Sequence, residues 1–272
     1  MALTTINSLP NEILLSILPH LSTTNLLHLL PLSHRFYRLI LTLLHDRLLR
    51  AAAMPKHRLT LECYTPDTRL IAPSFYCDYL HTDPLSTSQS AISRLSELSG
   101  LYSHFKPTTS VDDSWKRWSE TDDNQPSGEK VVGSGTIHLD ESALFAQLCA
   151  VTSLVKLGPR RGLFLSHVNV GEGLIRVWRD WLAARARAGD DGGEVLWADS
   201  DMTVGIRVGL VEAADTGVAN FPVFVSSEED LPVSYRLEYS EVLVRTRWLL
   251  RMLEKSETQE RTSDGKAVVL AM

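Results

Sequence analysis

The stretch LPNEILLSILPHLSTTNLLHLLPLSHRFYRLI, at residues 9–40, decides the architecture of the first part of the chain. Its apolar residues recur at intervals of three and four positions, and this spacing predicts helices. Pro10 suits the first position of a helix, because the N–H that proline lacks would have no partner there. Pro19 and Pro31 cannot continue a helix, so they divide the stretch into three short helices.

Residues with capping side chains support the same division. Residues 22–25 read Ser-Thr-Thr-Asn and offer caps for the second helix, because their side-chain oxygens accept hydrogen bonds from first-turn N–H groups. Ser33 can cap the third helix in the same way. The predicted apolar stripe of that third helix consists of Phe36, Ile40, Leu43 and Leu44.

The first fifty residues hold more aliphatic side chains than three short helices can bury among themselves. Residues 1–50 contain 17 Leu and 4 Ile, with only four Arg and two acids. Segments shorter than about 70–80 residues rarely bury enough surface to be stable alone. The surplus apolar surface must therefore face the rest of the chain or a separate protein. The four arginines do not line one polar face, which argues against a membrane-surface helix.

This N-terminal segment resembles the F-box motif over residues 8 to about 48. The resemblance rests on an ordered string of matches, from Leu-Pro-x-Glu-Ile at residues 9–13 to Ser-His-Arg-Phe-Tyr-Arg-Leu-Ile at residues 33–40. Asn25 departs from the pattern where an acid is common, but asparagine keeps the capping chemistry. The resemblance implies that residues 1–50 form a three-helix F-box, which docks on the Skp-family adaptor of Skp–cullin–F-box ubiquitin ligases.

The resemblance also implies which side chains contact the adaptor. Carried over position by position, these contacts are Leu9, Pro10, Ile13, Ile17, Leu21, Leu26, Leu30, Phe36, Leu39 and Ile40. Some of them must form the small internal core of the helices instead, and the sequence leaves this division open. The competing explanation is that the helices cap the rest of the chain and dock on no partner.

The composition changes near residues 51–56, and residues 57–272 read as a second, β-rich domain. Helical spacing recurs at 141–151 and 242–253. Many short strands with Gly and Pro turns predict a β-sandwich or a barrel-like sheet with a few helices, so the whole chain is α+β. The predicted strands are 58–64, 131–139, 163–170, 202–211, 223–225, 233–239 and 266–270.

Three parts of this second domain are less regular. Residues 174–188 fit both helical and strand spacing, and we predict a strand running into Trp181 followed by a short helix over the alanines. Residues 108–130 are polar and predict an exposed, flexible loop that includes Trp115 and Trp118. The region as a whole is similar to the C-terminal part of certain fungal F-box proteins, a likeness without a settled activity. The stretches that carry it are 61–64, 75–80, 155–164 and 177–182.

Charge and cysteine content narrow the class of protein. With 33 acids against 27 bases the chain has a net charge of −6, which gives no support for broad binding to nucleic acid. No uninterrupted apolar run approaches the roughly 18 residues that span a bilayer, so no membrane partner is expected. Three cysteines are too few for a disulfide framework and indicate reduced thiols, in the cytoplasm or the nucleus.

Candidate catalytic and metal-binding residues are sparse. His57, Cys63, Cys77 and His81 could meet as zinc ligands, but they lack the spacing of a zinc finger. No nucleophile and base stand at a workable spacing. We therefore expect no bound metal, no cofactor and no catalytic residue in this chain.

The remaining candidates concern recognition of a target. Arg160 and Arg161 stand between Gly158-Pro159 and Gly162, a turn that could display two guanidinium groups to a phosphate or carboxylate. The alternative is a hairpin turn with solvated charges or an ion pair within the domain. Trp178, Trp181 and Trp197 could form a stacking platform for a sugar, and the alternative is that they pack in the core. We interpret the chain as the substrate receptor of a cullin-type ubiquitin ligase. The alternatives are a lectin-like or small-ligand module and an F-box scaffold whose partner is not degraded.

Overall fold

The structure is a computed structural model, and it describes residues 6–54, 56–69, 72–84, 91–109, 133–158, 163–188, 194–212, 232–262 and 268–269. Arg160, Arg161 and the two tryptophans of the predicted loop lie outside these described residues, as does the predicted strand at 223–225. The part of the chain that is described begins with helices and continues as one β-sheet.

Three helices occupy the N-terminal segment, as the proline and serine positions predict. They are α1 (Asn11–Ile17), α2 (Thr23–Leu29) and α3 (His34–Ala53). The first two each run into a 3-10 turn that contains the predicted proline, at Leu18–His20 and Leu30–Leu32. The hydroxyls of Ser22 and Ser33 accept hydrogen bonds from the third residue of their helices, at 3.3 Å from Asn25 N and 3.2 Å from Phe36 N.

Within the described ranges, ten strands form one antiparallel sheet. In space the order is β10-β6-β5-β1-β2-β3-β9-β8-β7, and β4 also pairs with β9. The strands thus form one continuous hydrogen-bonded sheet, and the barrel-like arrangement, one of the two that the sequence predicts, is confirmed. The strands are β1 (His57–Tyr64), β2 (Ser74–Thr82), β3 (Tyr102–Thr109), β4 (Ser134–Leu139), β5 (Phe145–Leu157), β6 (Leu163–Trp178), β7 (Val195–Trp197), β8 (Val204–Glu212), β9 (Val233–Arg245) and β10 (Val268–Val269).

Two glycines of β6 bring one end of the sheet against the other. A Cβ atom added to Gly173 would lie 1.8 Å from the carbonyl oxygen of Ala198, directly after β7. One added to Gly171 would lie 2.8 Å from the Val204 side chain at the start of β8. Only a residue without a side chain permits this approach of two backbones. The sheet is therefore nearly closed, with β6 against β7 and β8.

Among the described residues, three further helices accompany the sheet. They are α4 (Ala91–Gly100), α5 (Arg179–Ala188) and α6 (Thr246–Thr262). The last of them packs against α3 on one side and against β6 on the other. No helix in the described part of the chain combines the length and the apolarity needed to cross a membrane.

Predictions from local spacing failed where strands run into helices. The helix predicted at 141–151 is wrong, because this segment belongs largely to β5, whose residues pair with β1 and β6. The apolar residues of this segment fit the helical period as well as the strand period. Hydrogen bonding to a neighbouring strand on each side makes the segment a strand. The helix predicted at 242–253 begins only at Thr246, and the strand predicted into Trp181 ends at Trp178.

The long helix α3 belongs to two apolar cores at once. One core lies among the N-terminal helices and includes Phe36, Ile40 and Leu44. The other fills the barrel-like sheet and includes Leu41 and Leu48 from the same helix. Each fully buried leucine contributes about 1.5–3 kcal/mol, so the packing of α3 in both cores stabilises the contact between the helices and the sheet.

Candidate functional site

The structure divides the implied adaptor contacts into interior and surface residues. Leu26, Phe36 and Ile40 are buried in the core of the three helices, beside Leu14 and Leu18. Their side chains hold the helices together and leave no area for a partner. The sequence leaves open which of the implied contacts form the internal core of the helices. The structure assigns these three residues to that core.

A second group of implied contacts lies on the surface. Pro10 is exposed, and Ile13 and Ile17 retain 45% and 48% of their accessible area. Ile13 and Ile17 are four positions apart on α1, so they share one face of that helix. The remaining implied contacts are half-buried, namely Leu9, Leu21, Leu30 and Leu39.

Additional apolar residues of the three helices and of the 3-10 turns beside them are exposed although the resemblance did not single them out. Ile6, Leu15, Leu27 and Leu32 all belong to this group, and Leu32 retains 63% of its area. The sequence feature that indicated such exposed residues is the number of leucines, which exceeds the number that three short helices can bury. We call the surface formed by Pro10, Ile13, Ile17 and these four residues the helical apolar surface.

Two arginines of α3 hold the segments that carry this surface. Arg35 donates from Nε to Asn11 Oδ1 at 2.7 Å and from Nη2 to the carbonyl oxygen of Leu9. Arg47 donates from Nη2 to the carbonyl oxygens of Pro19, at 2.9 Å, and Leu21. Arg35 thus fixes the start of α1, and Arg47 fixes the connection between α1 and α2. Sequence reasoning assigned no role to either arginine.

The outer face of β5 and β6 carries a second exposed apolar surface. Phe145 and Trp178 are paired across the two strands, with ring centroids 5.3 Å apart. The Arg176 guanidinium lies 5.4 Å from the Phe145 centroid and has no carboxylate partner among the described residues. Leu144, Leu174 and Trp178 retain 67%, 52% and 50% of their area. We call these five residues the β5–β6 outer surface.

Trp178 and Trp181, two of the three tryptophans that the sequence grouped together, have separate surroundings. Trp181 is on α5, where its indole N–H donates to Glu194 Oε2 at 2.9 Å and the Arg185 guanidinium lies 5.5 Å from its ring centroid. Its ring also packs against the core of the sheet. Trp178 is therefore available to a partner, whereas Trp181 mainly anchors α5.

The barrel interior holds protonated thiols. Burial raises the pKa of Cys63 and of Cys77 well above the usual range of a thiol. Burial likewise raises the pKa of Tyr239, whose hydroxyl is hydrogen bonded with Cys63. Within the described residues, no three or more of the His, Cys, Asp and Glu side chains gather as a metal site would require, so the zinc grouping considered from the sequence does not form there.

A buried polar chain links three neighbouring strands. His104 on β3 lies between two carboxylates, with Nδ1 2.8 Å from Glu241 Oε1 and Nε2 3.0 Å from Asp83 Oδ1. The other oxygen of Glu241 accepts from Arg207 Nη1 on β8. A carboxylate accepts hydrogen bonds, so a ring nitrogen that carries a hydrogen can donate to the carboxylate it faces. The arrangement pairs charges across the sheet and points to structure rather than to chemistry on a substrate.

These features define a class of protein, in which a small helical domain with an exposed apolar surface packs against a barrel-like sheet. Residues 6–51 match the family model described as F-box-like. This part of the chain is therefore an F-box-like domain, and it coincides with the first three helices. Comparison with curated proteins and with solved structures found no match for the chain. The likeness of the second domain to fungal F-box proteins remains a prediction.

Proposed function

We propose that this protein is the substrate-recognition subunit of a Skp–cullin–F-box ubiquitin ligase. The F-box-like domain would bind a Skp-family adaptor and, through it, a cullin. The observation that carries the proposal is the helical apolar surface, which stays exposed although the helices already have a filled core. Apolar side chains that lie exposed side by side, as Ile13 and Ile17 do on one face of α1, are typical of a site of protein interaction.

The competing explanation, a helical cap that serves only its own sheet, accounts for part of the leucine surplus. Leu41 and Leu48 of α3 do pack into the core of the sheet. Ile13 and Ile17, however, remain about half-exposed. A helical cap would not require exposed apolar side chains at these two positions, whereas an adaptor-binding surface would.

The barrel-like domain would bind the target protein. The β5–β6 outer surface supports this role, because exposed aromatic and arginine side chains dominate binding energy at protein interfaces. The chain would then contribute no catalytic residue of its own. It would accelerate ubiquitination by raising the effective concentration of a target lysine near the ubiquitin-conjugating partner. A reducing compartment, the cytoplasm or the nucleus, fits its buried free thiols.

Adaptor binding can be tested by substituting charged residues into the helical apolar surface. The I13E/I17E variant should reduce co-purification of a Skp-family adaptor at least tenfold, because two carboxylates would have to be desolvated at the interface. Both side chains are exposed, so the helices should stay folded by circular dichroism. The L174E variant, with its charge on the sheet, is the matched control and should bind the adaptor normally. Undiminished adaptor binding by I13E/I17E would refute the docking surface.

Target binding needs a separate experiment. Affinity purification with proteolysis blocked, followed by mass spectrometry, should recover proteins that the W178A variant loses while adaptor binding persists. These proteins should accumulate when the receptor is depleted. Recovered partners whose turnover is unchanged would favour the scaffold alternative. A glycan-array signal lost in W178A would favour the lectin-like alternative, for which Trp178 is the exposed candidate platform.

A further inference from the structure

A cleft of about 730 Å³ lies between the F-box-like domain and the last long helix, α6. One wall comes from the connection between α1 and α2 together with the end of α3, and the other comes from α6. Its apolar lining includes Leu21, Leu250 and Leu253. The volume falls within the range of about 300–1,000 Å³ that is common for small-ligand sites, which often form at domain interfaces.

The charge of this cleft is opposite to that of the protein. Its lining contains five cations and only two carboxylates, in a chain whose net charge is −6. A cavity lined mainly by one sign of charge concentrates ligands of the other sign. The cations are Arg47, Arg50, Arg251, Lys255 and Arg261.

These cations differ in how far the protein already uses them. Arg47 is bound to the Thr23 hydroxyl, to backbone carbonyls and to Glu254. Arg50 pairs with Asp46 in an exposed ion pair, which a stronger anion can replace. The other three cations lie on α6, and their charged groups remain available to a ligand.

On α6 the available cations are all exposed. Arg251 stacks on Trp248, with its guanidinium 5.1 Å from the ring centroid, and so keeps its N–H donors. Lys255 and Arg261 have no carboxylate partner among the described residues. The carboxylates of the cleft are Glu254, which accepts from Thr23 and faces Arg47, and the exposed Glu257. The cations that remain available to a ligand therefore stand on α6, and Arg50 lines the same cleft.

We propose that this cleft binds a small soluble polyanion that carries two or more phosphate groups. Guanidinium groups match phosphate oxygens in pairs, and each phosphate brings more charge than a carboxylate. A single phosphate could engage the α6 cations, but a ligand with several could reach Arg50 as well. Such a ligand would connect the F-box-like domain to α6 and stabilise their relative position. The inference does not depend on ubiquitin-ligase function.

Binding can be measured on the full chain, in complex with an adaptor if the chain requires one for solubility, with tripolyphosphate as the probe. Tripolyphosphate should bind by titration calorimetry and raise the Tm in a concentration-dependent way. Inorganic phosphate should bind at least tenfold more weakly. The affinity for tripolyphosphate should fall as salt is added, because the contacts are between exposed charges.

Variants locate the site. K255Q/R261Q removes two exposed cations and should weaken tripolyphosphate binding about tenfold, which corresponds to about 1.4 kcal/mol. R187Q removes a matched exposed cation from the end of α5 and should leave the affinity unchanged within twofold. Both variants should keep the Tm of the unliganded protein. No tripolyphosphate binding at millimolar concentration, or an equal loss in R187Q, would overturn the proposal.

Discussion

Glu254 of α6 accepts a hydrogen bond of 2.6 Å from the hydroxyl of Thr23, a residue that lies 231 positions earlier in the chain. The same carboxylate oxygen lies 3.5 Å from Arg47 Nη1 and 3.3 Å from the backbone nitrogen of Thr23. One carboxylate thus joins the first turn of α2, the middle of α3 and the last long helix. This contact, together with the two-sided packing of α3, sets the orientation of the F-box-like domain on the sheet.

Removing this carboxylate should loosen the junction. E254A is expected to destabilise the protein by about 1 kcal/mol, since the hydrogen-bonded carboxylate is partly exposed to solvent. E257A, in the next turn and without a partner among the described residues, is the matched control and should be neutral. Urea unfolding of both variants measures the difference. Equal stability of E254A and the unchanged protein would mean that packing alone holds the junction.

Closure of the sheet should depend on Gly173. A methyl group at this position would overlap the carbonyl oxygen of Ala198, so G173A must push β6 away from β7 at a cost of about 3 kcal/mol or more. A Cβ at Gly100, at the end of α4, would meet no atom within 4 Å. G100A should therefore be neutral or stabilise by a few tenths of a kcal/mol. Thermal unfolding of the two alanine variants compares them directly, and similar Tm values would contradict the close approach.

The buried thiols should be unreactive in the folded protein. Cys63 and Cys77 are buried with raised pKa values, and only the thiolate attacks an alkylating reagent. We expect iodoacetamide at neutral pH to modify the half-buried Cys149 first. Mass spectrometry of the modified protein identifies the site. Rapid modification of Cys63 in the native state would show that the barrel interior opens.

The same two thiols should make stability fall in alkaline solution. Their pKa values are higher in the folded than in the unfolded state, so the unfolded chain alone loses these protons as pH rises above about 8.5. Below that pH their contribution is fully present. Between pH 7.5 and 9.5 each thiol should remove about 1 kcal/mol from the free energy of unfolding. Urea unfolding at both pH values should show this loss in C149A but a smaller one in C63A/C77A.

The His104 pairing should contribute to the stability of the sheet. H104Q would leave the buried Glu241 with Arg207 alone, and we expect a loss of about 2–3 kcal/mol. His138 offers a matched control, because it is exposed on β4 and contacts only the Ser234 hydroxyl among the described residues. H138Q should change the free energy of unfolding by less than about 0.5 kcal/mol. A comparable loss in both variants would argue against a special role of the buried pair.

Local chemistry made the F-box-like domain predictable. The bounds of its helices follow from the prolines that interrupt them and from the serines that cap them. Each of these residues affects only the few residues that lie next to it in sequence. The excess of leucine also predicted that some apolar surface would remain uncovered. Which leucines remain so was not predictable, because Leu26 and Leu27 are neighbours in sequence and yet one is buried and the other exposed.

The β-rich domain was predicted in class but not in detail. Residues 145–151 show the reason, because their apolar positions fit a helix as well as a strand. The same holds for Trp178 and Trp181, whose separation depends on where β6 ends and α5 begins. Arg35, Arg47 and Glu254 gave no signal, since their partners lie 24 or more positions away in sequence.

The sequence alone therefore determined the three N-terminal helices, the F-box resemblance and the change to a β-rich second domain. Each of these rests on spacing, capping or composition within short segments. Tertiary structure alone decided the near closure of the sheet, the division of leucines between core and surface, and the cleft beside α6. These features arise from contacts between distant segments, and their free energy depends on backbone approach and burial that only the assembled fold defines.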